Sequence, residues 1–165
     1  MSIIYIDHQA STSVTQDVLE AMHSCWNTEI GNPHSSEHIA GLKASELIEQ
    51  SQRVISNVLD CEANEIIFNS GASEGNNQAI FGVLNSEQLR SHKRRVIIST
   101  IEHKCVISAA DFWCAKLGLD LQFVRVDQEG YVDQEHLLEL LKTPTALVSV
   151  MAVNNEVGTI QDLEA

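Results

Sequence analysis

Three turns and one loop gather the residues able to do chemistry. Ser70, Gly71, Ala72, Ser73, Glu74, Gly75, Asn76 and Asn77 follow a β-branched run and open a helical pattern. Small residues let backbone approach an anion closely, a helix start offers N–H groups with no intrahelical acceptor, and Ser73 adds a hydroxyl. Together they outline a phosphate cradle. An ordinary helix start with Ser73 as N-cap explains the same residues equally well. The stretch has neither GxxxxGK[ST] nor GxGxxG, so ATP and NAD are poor candidates. A second turn, Ile101, Glu102, His103 and Lys104, holds an imidazole that can stack on a flat ring or move protons near neutral pH. Taken by itself it reads as a helix start facing solvent. In the third turn, Val153 to Gly158, the amides of Asn154 and Asn155 can both donate and accept, which suits a hydroxyl or carboxylate. An asparagine-rich turn that tolerates unusual backbone angles is the simpler reading there. In the loop from Gly31 to His38, His34 and His38 have the spacing of two ligands on one helical face. With no HExxH and no third ligand at hand, no metal is expected. Ser35 or Ser36 is expected to cap the helix that follows.

The elements that must hold these turns alternate in type. Short β-branched runs at Ile3 to Ile6, Glu65 to Asn69, Val96 to Thr100, Leu121 to Val126 and Ala146 to Met151 predict strands. Helical spacing of apolar residues predicts helices over Thr15 to Cys25, Leu42 to Leu59, Ser73 to Leu84, Lys104 to Leu117 and Asp133 to Leu141. Such alternation implies an α/β layer with a mainly parallel sheet. In open sheets of this kind ligands bind beyond the carboxyl ends of the strands, which is where the three turns fall. The last turn runs into a new segment that reaches Ala165 without a cap or breaker. A sheet edge left bare after Met151 is therefore expected to be covered by further chain or by another chain.

Composition excludes several function classes. The 165 residues are 44% hydrophobic and 20% charged, the balance of a globular chain. Twenty-three acidic against 10 basic residues give a net charge of -13, so a nucleic-acid backbone or an anionic membrane would be repelled. The one basic cluster, Arg90, Lys93, Arg94 and Arg95, reads as a solvated turn before a strand. Cys25, Cys61, Cys105 and Cys114 show no zinc spacing and read as small buried hydrophobes. No export signal and no apolar run of spanning length is visible, and a cytoplasmic location, or an organelle matrix, is expected.

In their order along the chain these motifs resemble the cysteine desulfurases, within the class V aminotransferase branch of fold-type I pyridoxal-phosphate enzymes. Tyr5, Ile6, Asp7 with Ala10, Ser11, Thr12 are similar to the family's Tyr-Leu-Asp and Ala-Thr-Thr. Gly31 to His38 with Gly41 resembles its GNPxSxH loop, and Phe68 to Asn77 its FTSGATExxN segment. Glu102 and His103 resemble its Glu-His, and Met151 to Gln161 its NNExGxxQ. Asn69, Ser73 and Gly75 in the cradle and His8, Gln9 and Ser11 near the start depart from the pattern.

The resemblance implies a three-layer αβα fold with a mainly parallel sheet, residues 1–165 being the N-terminal part of the major domain. The first stretch, about residues 1–15, is assigned alternatively to the small domain of such enzymes. It implies that Ala72 and Ser73 hold the phosphate of pyridoxal 5'-phosphate and that the catalytic His103 stacks on the coenzyme ring. Asn155 is implied to contact both cofactor and bound amino acid. The implied reaction converts L-cysteine to L-alanine and leaves sulfur as an enzyme-bound persulfide for an iron-sulfur scaffold or for tRNA thiolation. The family's Schiff-base lysine, its pyridinium-binding aspartate, its carboxylate-binding arginine and its sulfur-accepting cysteine come later and are not assigned here. The chain alone is therefore expected to be inactive. A homodimer, or a complementing C-terminal polypeptide, is the expected assembly. Two alternatives stay open: a non-catalytic interaction subunit pairing with an intact desulfurase, and a selenocysteine lyase or other class V enzyme.

Overall fold

The computed structural model describes residues 4–8, 10–28, 30–86 and 94–163. They form two compact units, Met1–Phe68 and Asn69–Ala165.

The first unit is helical. Helix α1 spans Gln16–Asn27 and α2 spans Ile39–Leu59. The latter begins ahead of the expected Leu42, and neither Ser35 nor Ser36 caps it. His38 does, its Nδ1 accepting from the Gly41 N–H at 3.0 Å. A Cβ on Gly31 would overlap the Ala40 carbonyl, and one on Gly41 the Ser35 carbonyl, so the loop can wrap this helix start only with glycine at both positions. Beyond α2 a single 3-10 turn, Ala63–Glu65, is closed by Glu65 Oε2 accepting from the Glu62 N–H at 2.8 Å. Gln52 Nε2 donates to the Ile66 carbonyl at 2.9 Å.

Two strands predicted from sequence are not formed among the described residues. Glu65 ends the 3-10 turn and the stretch up to Asn69 has no ladder partner, although Ile66 is extended. Ile67 and Phe68 stay 60% and 53% exposed, so β-branched and aromatic content has nothing to pack against there. Ile4 and Ile6 are likewise exposed and unpaired, while Ile3 lies outside the described residues.

The second unit is α/β. Its elements run α3 (Ala72–Leu84), β1 (Arg95–Ser99), α4 (Lys104–Leu117), β2 (Asp120–Val124), α5 (Gln134–Leu140) and β3 (Thr145–Ser149). The strands form one parallel sheet in the order β2-β1-β3. From β1 the chain crosses to one side through α4, then returns past β1 to the other side through α5. Right-handed crossovers in opposite directions place their helices on opposite faces, which gives three layers. The side chains agree. Val96 and Ile98 join Ile80 and Leu84 of α3 and Val106, Ala110 and Cys114 of α4 in one buried cluster. Arg95, on the alternate face, reaches the Leu140 carbonyl at the end of α5 at 3.0 Å and pairs with Asp120 at 2.7 Å. Arg95 is thus a strand residue with fixed partners rather than part of a solvated turn; Arg90 and Lys93 lie outside the described residues. Gly118, at φ 66, stops α4 with a left-handed residue and turns the chain into β2. No helix among the described residues is long and apolar enough to cross a membrane.

Candidate functional site

The turn before α3 is built by its own side chains. Gly71 is the N-cap, at φ 148, and Ser73 sits in the first turn rather than at the cap. Asn69 Oδ1 accepts from the Gly71 N–H at 2.9 Å. The Glu74 carboxylate accepts from the Ser70 N–H at 2.8 Å and from the Ser70 hydroxyl at 2.5 Å, and those two bonds hold its pKa below the ordinary value. The first backbone bond of the helix joins the Gly75 N–H to the Gly71 carbonyl at 3.1 Å. The N–H groups of Ala72, Ser73 and Glu74 therefore precede the intrahelical ladder and point out of the helix end. The exposed Ser73 hydroxyl stands beside them. Of the positions that depart from the family pattern, Asn69 and Gly75 meet: a Cβ on residue 75 would lie 3.0 Å from Asn69 Nδ2.

His103 stands at the carboxyl end of β1 as the N-cap of α4. A cleft of about 360 Å³ is lined by Ser73 and Asn77 from α3 and by His103, Lys104, Cys105 and Ser108 from the start of α4. The cradle hydroxyl and the imidazole thus open on one space. His103 also lines a neighbouring cleft of about 560 Å³, whose opposite wall carries Asn154, Asn155 and Glu156 from the turn after β3. β1 and β3 are adjacent strands, so their carboxyl-end turns face each other across this cleft.

The two asparagines of that turn differ. Asn154 is buried; its Nδ2 donates to the Ile101 carbonyl at 2.9 Å and its Oδ1 accepts from the N–H groups of Glu156 and Val157, both at 2.8 Å. It fastens the β3 turn to the β1 turn. Asn155 is exposed at the cleft, its amide left for something else. Gln161, the end of the same sequence motif, is spent on the loop before α5: it accepts from the Val132 N–H at 3.1 Å and donates to the Gly130 carbonyl at 2.6 Å. Glu102, between β1 and His103, is buried, and desolvation raises its pKa although the Met151 and His103 backbones and the Ser99 hydroxyl oppose this. Glu102 Oε1 and Ser99 Oγ are both buried and neither completes a hydrogen bond of good geometry, so Ser99 acts on the carboxyl only as a nearby dipole.

The cysteines are not alike either. Cys114 is the buried hydrophobe expected of all four, its pKa pushed up to about 11 by burial and by Asp111 and Asp120. Cys25, Cys61 and Cys105 are only half-buried and depart from that reading, Cys105 the most because of its polar contacts. Its Sγ lies 2.9 Å from His103 Nδ1 and 3.1 Å from Asn76 Nδ2. Asn76 and Cys105 are the site residues that sequence reasoning passed over. Their signal was faint: a cysteine two positions after a histidine at a helix start, and an asparagine inside the cradle motif.

The matches to known proteins run along the whole chain. The class-V aminotransferase family model covers residues 4–165. The mitosomal cysteine desulfurase of Trachipleistophora hominis is 38% identical over 161 residues, which are 98% of this chain and 36% of that protein. Cysteine desulfurase IscS of Rickettsia bellii is 40% identical over 164 residues, 98% of this chain and 38% of that protein. Among solved structures, a NifS-like protein superposes with a TM-score of 0.90 at 37% identity, over 98% of this chain and 43% of its own. The structure of SspA in complex with cysteine gives 0.86 at 35% identity, over 97% and 45%. This chain spans a little over a third of the length of the curated relatives it matches, 36% and 38% in these two. Built on the parallel α/β layer those structures share, the chain belongs to the class-V aminotransferase family, whose members are pyridoxal-phosphate-dependent enzymes.

Proposed function

We propose that the protein works as a pyridoxal-phosphate-dependent cysteine desulfurase, and that this chain supplies the surfaces that grip the coenzyme phosphate and cover its ring. The observation that carries this reading is the single cleft lined by both Ser73 and His103. A helix start with free N–H groups, an exposed hydroxyl and no Cβ at Gly71 suits a phosphate dianion. Ala72 and Ser73 bind that phosphate through backbone N–H groups, with the Ser73 hydroxyl added. The His103 imidazole would face the coenzyme ring and hold a proton near the substrate. Asn155 offers its amide to the ring substituents and to the substrate carboxylate. When bound, the coenzyme withdraws electrons from the substrate's α-carbon. The proposed reaction is L-cysteine to L-alanine, with the sulfur left as a persulfide on an enzyme thiol for an acceptor such as an iron-sulfur scaffold. The residue that anchors the coenzyme covalently and the thiol that receives sulfur are assigned to no position in this chain, so turnover needs a further polypeptide segment. A cytoplasmic site of action belongs to the same reading.

The test uses 4'-deoxypyridoxine 5'-phosphate, which keeps the ring and phosphate but lacks the aldehyde that reacts with surface lysines. Its binding to the 165-residue chain is expected to be saturable and displaced by inorganic phosphate. Ser73→Ala is expected to weaken it by about tenfold, the worth of one hydrogen bond to a charged group. With pyridoxal phosphate and L-cysteine the same chain is expected to release no sulfide. Binding unchanged by both Ser73→Ala and His103→Gln refutes the site, and robust sulfide release refutes the missing anchor.

A further inference from the structure

The His103 ring is held from behind. Its Nδ1 accepts from the Cys105 N–H at 3.2 Å and lies 2.9 Å from Cys105 Sγ. The sulfur in turn accepts from Asn76 Nδ2 at 3.1 Å. Nδ1 has one lone pair in the ring plane, which the Cys105 N–H and the sulfur's hydrogen share. A proton on Nδ1 would point at the Cys105 N–H, donor against donor, so this nitrogen is bare. With Nδ1 bare, the contact to the sulfur is S–H donating to nitrogen, and Asn76 occupies the sulfur's acceptor side. The chain of donors runs from the Asn76 amide to the Cys105 thiol to His103 Nδ1, and a neutral imidazole then carries its hydrogen on Nε2.

We propose that Cys105, backed by Asn76, is a positioning residue that fixes His103 in the Nε2–H tautomer and so decides which edge of the imidazole works in the cleft. The inference rests on the reading of His103 as the ring-facing group. It adds that Nε2–H is the atom that donates toward a bound molecule. Asn76 lies on α3, in the same turn as the phosphate cradle, and Cys105 on α4. The cradle and the imidazole are thereby set against each other through the sulfur, independently of any ligand.

The experiment is imidazole 15N NMR on the full chain with no coenzyme present, above the histidine titration range, with His103 assigned by loss of its signals in His103→Gln. The exposed His34 in the same spectra reports the free tautomer mixture. His103 is expected to show an acceptor-type Nδ1 and a protonated Nε2 with less averaging than His34. Cys105→Ala keeps the backbone N–H on Nδ1 and removes only the S–H, so His103 should move part of the way toward the His34 pattern, whereas Cys105→Ser, which keeps an O–H donor, should hold it. Should the alanine variant fail to fold, alkylating Cys105 in the folded wild-type chain removes the same S–H and is expected to give the same shift. A protonated Nδ1, a wild-type pattern equal to that of His34, or no response to either alanine or alkylation overturns the proposal. Adding 4'-deoxypyridoxine 5'-phosphate separates the two readings. If His103 keeps its tautomer but its signals ignore the ligand, the coenzyme site fails and the positioning role stands.

Discussion

Gly75 and Asn69 are expected to be energetically coupled, because the space missing at one is used by the other. Gly75 lies in the first turns of α3, and glycine there costs about 0.5–1 kcal/mol relative to alanine. Gly75→Ala should recover that amount, but its Cβ would sit 3.0 Å from Asn69 Nδ2, too near for the amide to keep its present position. The Asn69 side chain must give way by a few tenths of an ångström, which strains its 2.9 Å bond from the Gly71 N–H and at most breaks it. A hydrogen bond of that kind is worth about 1 kcal/mol net. In the wild-type background the strain offsets part or all of the gain. In an Asn69→Ala background, with no amide to displace, Gly75→Ala should stabilise by the full amount, so the cycle closes with a coupling of up to about 1 kcal/mol. Urea unfolding followed by Trp113 fluorescence in a Trp26→Phe background reads the unit that contains α3, since Trp113 packs on Phe81 of that helix at 4.2 Å between ring centroids. Additivity within about 0.4 kcal/mol would refute the steric argument.

Gly130, at φ 87, faces Thr159, and an added Cβ would lie 2.8 Å from Thr159 Oγ1. Gly130→Ala should cost about 1–2 kcal/mol for the left-handed backbone and about 1 more for the displaced hydrogen bond from the Thr159 hydroxyl to the Glu129 carbonyl; a variant that melts like wild type contradicts this. Burial raises the pKa of Glu102 in the folded chain above its unfolded value, so the folded state binds more protons and Glu102 lowers stability as pH rises through and beyond the ordinary glutamate range. Glu102→Gln should therefore gain stability at neutral pH and none in acid below that range, and denaturant midpoints of the two proteins that stay parallel across pH would contradict the assignment.

Local rules made the helices readable. The stripe from Lys104 to Leu117 coincides with α4, and the small-residue run after Asn69 marks the start of α3, because helix periodicity and its breakers act within a few residues. The strand expected at Glu65 to Asn69 failed for the opposite reason: a strand exists only with a ladder partner, and nothing in that segment names one. His38 caps α2 and Gly71 caps α3, whereas capping preference for Ser, Thr, Asp or Asn pointed to Ser35 or Ser36 in the first case and to Ser73 in the second. The position of His103 after β1 could be read from the motif. Its grip by Cys105 and Asn76 could not, since Asn76 lies 29 residues from Cys105 and meets it only after α3 and α4 pack.

Asn154 spends its whole side chain on two neighbouring turns, and this has a mechanical result. The backbone that bears Asn155 is tied through one bond to the carbonyl of Ile101, two residues before His103, so a displacement of either wall of the larger cleft strains the other.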